Sequence, residues 1–194
     1  LRLINSKIWK LSFISTALVG SWVFVPESRA QQYVSTEGYV EFVSTAPLLE
    51  FKGVSNDLHG LIDLGENLVD FFVDLNTLET GIRRRDRDMR NSYLETNRYP
   101  FAEFTGQIVS GIEQLRRRNV PVEVTASGSF TMRQISHDIT VEGTMSETEG
   151  GGLLLEASWV IRLKDYNIDR PSVLFYELAD EQTINIRINL SERN

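Results

Sequence analysis

The side chains of this 194-residue chain that could do chemistry are few and scattered. Histidine occurs twice, at His59 and His137, and cysteine not at all. Neither histidine stands in a His-x-x-x-His pair or beside a carboxylate cluster, so metal-assisted hydrolysis lacks a ligand set. Without thiols there is no disulfide, thiolate metal site or cysteine nucleophile. No Gly-x-Ser-x-Gly elbow, P-loop or dinucleotide fingerprint is present. Gly150-Gly151-Gly152 reads as a flexible hairpin tip, and Asp165-Tyr166 as a pair that hydrogen-bonds at the end of an element rather than one that moves protons. The remaining concentration is cationic: Arg83, Arg84, Arg85, Arg87 and Arg90 lie in the segment Thr80 to Thr96. They could hold an anion or a headgroup. With Asp86 and Asp88 interleaved, a solvated face with local ion pairs is the simpler reading. The expectation is a protein that binds, with no catalytic residue, metal or resident cofactor.

The elements that position these residues follow from hydrophobic periodicity. After Ala30 apolar and polar residues alternate, the mark of strands with one buried face. Val69, Phe71, Val73 and Leu75 alternate with Asp70, Phe72, Asp74 and Asn76. Similar runs begin at Val122, Leu155 and Ile184, and shorter ones lie near 40–43, 48–53, 58–64, 102–109 and 135–143. Gly65-Glu66-Asn67 and Glu149-Gly150-Gly151-Gly152 supply turns. Ser110-Gly111 opens a polar link with Arg116, Arg117 and Arg118, a loop or a hairpin extension. About eight short strands in meander order predict an all-β sandwich or a closed up-and-down barrel. Alternation lapses only at Thr80–Thr96. There Ile82, Met89 and Tyr93 share a helical face, and Arg84–Asp88 and Asp86–Arg90 pair at i,i+4. Thr80 suits the cap and Pro100 blocks continuation, predicting a short helix near 81–95 of about three turns.

Residues 1–30 read as a leader. Arg2, Lys7 and Lys10 precede an apolar run from Leu11 to Val25, and Ser28 and Ala30 give the small-x-small pattern of a signal peptide cleaved after Ala30. The run is shorter than the ~20 residues a membrane span needs. The expected mature domain is 31–194, periplasmic or secreted, with no stable membrane insertion after cleavage. The whole chain has 20 basic and 27 acidic residues. Removing Arg2, Lys7, Lys10, Arg29 and Glu27 leaves 16 and 26, a net of −10. That sign excludes phosphate neutralisation, so no nucleic-acid partner is expected.

Several segments, read in order, resemble the YceI-like family. Thr80-Gly81, Arg85-Asp86, Met89, Tyr93-Leu94, Tyr99-Pro100, Phe104 and Gly106 resemble its central motif. Phe130-Thr131-Met132-Arg133 with Asp138-Ile139-Thr140-Val141 resembles its strand pair. Trp159, Leu163, Asp165, Tyr166, Ile168 and Pro171 resemble its tail motif, and the last strand, TINIRINL, also fits. The set spans about residues 39–190. Gln134 departs from the pattern where a turn glycine is usual, and Gly38-Tyr39-Val40-Glu41-Phe42 matches loosely, as in a divergent member. The resemblance implies a lipocalin-like eight-stranded antiparallel β-barrel with one short inserted helix, a periplasmic or secreted location, and a bound isoprenoid lipid or quinone.

Such a barrel is just wide enough to be filled by side chains or to hold one ligand. The inward, cavity-lining set is expected to be Val69, Phe71 and Val73, then Phe104 and Ile108, then Val124 and Phe130. Ile139 and Val141 follow, then Leu155, Trp159 and Ile161, and finally Ile184, Ile186 and Ile188. In phase with them, Ala102, Gly106, Ala126, Gly128 and Ala157 could leave room. The expected partner is therefore a hydrophobic small molecule, carried or sequestered. The alternative is a structural or protein-interaction barrel with a filled core, whose docking patch would be outward Phe72 and Val160 if they are neighbours.

Overall fold

The structure is a computed structural model describing residues 31–193 apart from 47–48, 116–119, 171 and 174–175. The expected leader, Arg116–Arg118 and Pro171 lie outside the described residues. Eight strands close into one antiparallel barrel: β1 (Gln32–Ala46), β2 (Leu49–Asp63), β3 (Leu68–Asp74), β4 (Phe101–Ser110), β5 (Val122–Met132), β6 (Ile135–Glu147), β7 (Leu153–Arg162) and β10 (Glu181–Glu192). Each pairs with its sequence neighbour, and β1 closes the ring on β10. A two-stranded ribbon, β8 (Ser172–Val173) and β9 (Tyr176–Glu177), lies between β7 and β10. Helix α1 (Arg83–Asp88) continues through one wider turn at Met89–Tyr93, and a single turn, α2 (Ile112–Leu115), follows β4.

The expected barrel and inserted helix are thus present, with local corrections. The runs near 48–53 and 58–64 belong to one strand, β2. Gly38 of β1 faces Leu58 but Val40 faces Ser55, so a bulge at Asn56–Asp57 switches the inward phase from Ser55 to Leu58. That switch breaks the alternation on which the sequence reading relied. Thr80 does not cap α1, whose first turn follows Ile82 with no side-chain cap. Instead the buried Asp86 carboxylate accepts from the Thr80 amide at 2.7 Å and from its hydroxyl. Asp86 and Arg90 therefore do not pair, since Arg90 donates to the Leu78 carbonyl at 2.7 Å. Arg84 and Asp88 do, at 3.8 Å. The link after Ser110 begins as helix because Ile112 and Leu115 are buried under the barrel. Phe72 and Val160 are not neighbours: β3 and β7 lie on opposite sides of the ring. Phe72 packs instead between His59, stacked at 4.5 Å, and Phe101, edge-on at 5.8 Å, outside the barrel.

Two turns carry predictions. Arg133 and Gln134, joining β5 to β6, both have positive φ, 52° and 62°. This is the two-residue hairpin geometry that glycine or asparagine usually fills. The hairpin adopts this geometry with no glycine at either position. Gln134→Gly should raise unfolding free energy by about 1 kcal/mol, measured in urea, because the left-handed strain of a side chain is removed.

At the other end Asp63 is 4% exposed. It accepts from Gln32 Nε2 at 2.9 Å and from the amides of Gly65 and Glu66 at 2.8 and 3.0 Å. The Gln32 bond first, then the amides, hold its carboxyl below the usual carboxylate range against the opposing effect of burial. A depressed folded pKa means stability present above the unfolded value, about 4, and lost as pH falls through the folded one. Asp63→Asn should cost about 1–2 kcal/mol near neutrality, and the gap to the parent protein should close as pH falls through the depressed folded value, as urea unfolding across the acid range would show.

An apolar cavity open at one end

The barrel is filled at one end and hollow at the other. Around the ends bearing α2, Ile62, Met145, Leu153, Ile188 and Leu190 are completely or nearly completely buried and share one hydrophobic cluster with Leu115 of the helix. Close packing there needs glycine opposite: a Cβ at Gly38 would meet Ile188 Cδ1 at 2.7 Å, and one at Gly60 the Phe71 ring at 2.4 Å. Toward the opposite end the side chains no longer meet. An inner chamber of about 120 Å³ lies among Val40, Phe71, Phe104, Phe130, Trp159 and Ile186. A wider chamber of about 560 Å³ lies above it, beneath α1, among Phe51, Ile82, Met89, Met132, Ile161 and Leu178. Phe42, Leu75 and Leu78 line both and form the neck between them. The inner space is comparable to cavities that hold one small ring, and the outer falls within the range of small-molecule sites.

Residues from all eight of the barrel's strands reach this space because each presents every second side chain inward. Of the expected residues, Val69, Phe71 and Val73 on β3, with Phe104 and Ile108 on β4, line the inner chamber. So do Val124 and Phe130 on β5, Val141 on β6, Leu155 and Trp159 on β7, and Ile184 and Ile186 on β10. Ile161 lines the outer one. Two are elsewhere. Ile139 packs half-buried against the core, where β6 has already parted from β7: their ladder begins only at Glu142 and Ser158. Ile188 belongs to the packed end. The small residues divide by type. Ala102, Ala126 and Ala157 line the inner chamber, whereas Gly106 and Gly128 face each other across β4 and β5, where a Cβ on either would strike the other strand's backbone. The alanines leave room, and the glycines let strands approach.

The sequence reading missed the mouth. Its floor comes from β1 and from the segment after β3. Alternation of Val40, Phe42 and Ser44 could have revealed the first; Leu75 and Met89 stood in runs already read from the sequence without being assigned to the cavity, whereas Leu78 reaches it through an irregular insert with no period. That insert is tied down by paired bonds between Val54 and Glu79, 2.8 and 2.9 Å, and by the Leu75 amide on the Pro100 carbonyl at 2.7 Å. Of the arginines, only Arg84 and Arg85 line the outer chamber. Arg85 donates to the Thr80 hydroxyl and carbonyl at 2.8 and 2.9 Å and lies 4.2 Å over the Phe51 ring.

The titratable groups named for chemistry stand apart from the cavity. His59 is on the outer face beside Asp57 at 3.4 Å. His137 is exposed, with a ring nitrogen 2.9 Å from the Asp165 carbonyl. Tyr166 is buried edge-on against Phe130 at 5.7 Å, and burial first, then the Asp165 charge, pushes its hydroxyl up to about 12. It plugs the gap where β6 and β7 part. Among the described residues no group of three or more His, Asp or Glu side chains could hold a metal ion, and no helix is long and apolar enough to cross a membrane.

A family model described as the YceI-like domain matches residues 32–190. Among solved structures, a polyisoprenoid binding domain from Saccharophagus degradans, implicated in plant cell wall breakdown, superposes with a TM-score of 0.70 at 15% identity, over 85% of this chain and 100% of that one. Burkholderia cenocepacia BcnA superposes at 0.64 and 15%, over 79% and 96%. A Campylobacter jejuni YCEI protein does so at 0.52 and 11%, over 98% and 94%. No curated protein matches the chain. At such identities the structural likeness establishes the fold, the lipocalin-like barrel expected above.

Proposed function

The chain belongs to the YceI-like domain family, and from that premise we propose that its barrel buries a hydrophobic small molecule of isoprenoid type, a polyprenyl lipid or isoprenoid quinone, for carriage or sequestration and without chemical change. The observation that carries this reading is the hydrocarbon-lined inner chamber, reached through the neck at Phe42, Leu75 and Leu78. Each buried CH₂ contributes roughly 0.8 kcal/mol before ordering costs, so a few prenyl units suffice for tight binding with little hydrogen bonding. Partial filling of the barrel limits how deep a chain can reach. A longer tail must extend into the outer chamber or move Phe42 aside. We further propose that the protein is exported, with the leader removed after Ala30, so that it meets such lipids in the cell envelope or outside.

The test is to produce the full chain in a bacterium, purify it without detergent from the envelope fraction, and extract it with organic solvent. An isoprenoid lipid in near-stoichiometric amount, and an intact mass that begins at Gln31, are the expected results. Recovery of empty protein, or of a lipid mixture no different from the bulk membrane, would overturn the binding reading. A retained leader would overturn export alone.

A further inference from the structure

The wall of the outer chamber carries two neutral polar side chains that point the same way as the hydrocarbon below them. Ser44 continues the inward row of Val40 and Phe42 on β1, and Gln182 begins the inward row of Ile184 and Ile186 on β10. The register sets Ser44 directly opposite Gln182, and both line the chamber. Ser44 is 1% exposed, yet its hydroxyl has no hydrogen-bond partner. Gln182 is 4% exposed and spends its Nε2 on the Ala179 carbonyl at 2.8 Å, leaving the amide oxygen available. One layer deeper, level with Phe42 and Ile184, the Trp159 indole N–H is also buried and unpaired. Buried polar groups ordinarily find partners, and these two orphans lie along one path, from the mouth chamber to the inner one.

We propose that Ser44, Gln182 and Trp159 form a headgroup station that selects a lipid whose polar end is uncharged and bears oxygen: an alcohol, amide or carbonyl. The inference rests on the lipid-binding reading above and specifies its ligand's other end. Indole only donates and a hydroxyl does both, so the complement must offer an acceptor oxygen. An anionic head is disfavoured there, because burying it against neutral dipoles leaves its charge uncompensated. Of the chamber's cations, Arg85 is bonded to Thr80 and stacked on the Phe51 ring, and Arg84, its side chain 85% exposed, points its charge to solvent beside Asp88 at 3.8 Å. A few placed polar groups in an apolar site fix the ligand's orientation, tail inward.

The experiment is a competition. Delipidated protein is offered mixed micelles with equal amounts of geranylgeraniol, geranylgeranyl monophosphate and phytane, and the lipid retained after gel filtration is quantified by mass spectrometry. The expected order is alcohol first, by about tenfold over phytane, the worth of one or two recovered hydrogen bonds. Ser44→Ala should reduce that preference about fivefold while the melting temperature holds or rises, since an unpaired buried hydroxyl is removed. Equal uptake of alcohol and phytane, unchanged in Ser44→Ala, overturns the headgroup station but leaves lipid binding intact. Preference for the phosphate that disappears in Arg84→Ala overturns it in favour of an anion site at the rim. Failure of all three to bind removes the premise and the station with it.

Discussion

Arg133→Ala is expected to cost about 3 kcal/mol of unfolding free energy, the scale of a charged hydrogen-bond network broken at one partner. The guanidinium donates to the Asn167 carbonyl and to the Glu95 carboxylate, and lies 5.5 Å from the Tyr99 ring centroid. Its side chain is only 14% exposed, so water replaces these partners poorly. The residues it joins are three left-handed corners: Arg133 itself, Glu95 after the helix and Asn167 after β7, with φ of 52°, 50° and 53°. Each corner is unfavourable alone, and one fork of donors holds them together at the rim. For a chain of this size the melting temperature should fall by roughly 6–12 °C. Arg133→Lys should recover less than half, because an ammonium cannot present two parallel donors. Urea unfolding measures both, and a loss below about 1 kcal/mol in the alanine variant would show that the corners stand without the clamp.

The second large effect is on lipid content. Ala126 lies opposite Ile108 and Val141 and faces the inner chamber. Ala126→Phe should occupy that space and displace about one prenyl unit, roughly 4 kcal/mol or a thousandfold in affinity. Growth into existing space avoids most of the 1–3 kcal/mol that overpacking a filled core costs, so the melting temperature should change little. Ile188→Ala is the complement. At the packed end it should cost about 3–4 kcal/mol through the cavity it leaves, yet keep its lipid. A protein in which both substitutions affect only stability would have no working cavity. The pair therefore separates the hollow half of the barrel from the filled half within one chain.

Much of this was legible before any coordinates. Alternation along β3, β5, β7 and β10 is a local property, since a strand with one buried face must repeat every two residues whatever it packs against. It identified the inward residues on those strands, and the lapse at 80–96 marked the helix. The ordered motifs, from Thr80-Gly81 to Asp165-Tyr166, pointed to the family. Where local order was interrupted the reading failed: at the β2 bulge, at the cap of α1, and at Leu78, which reaches the cavity from a segment of no regular period.

Composition and pattern alone determined that this is a sequential all-β domain with an apolar inside, a cationic insert and no recognisable catalytic set. Whether that inside is filled could not be written in any single strand. It depends on which side chains arrive at one level of the closed ring, and only β1 closing on β10 brings Ser44 beside Gln182, or sets Ile188 against Gly38 and Gly60. Tertiary structure therefore decided that the cylinder is packed at one end and open at the other, because cavity volume is a property of the ring's assembled layers.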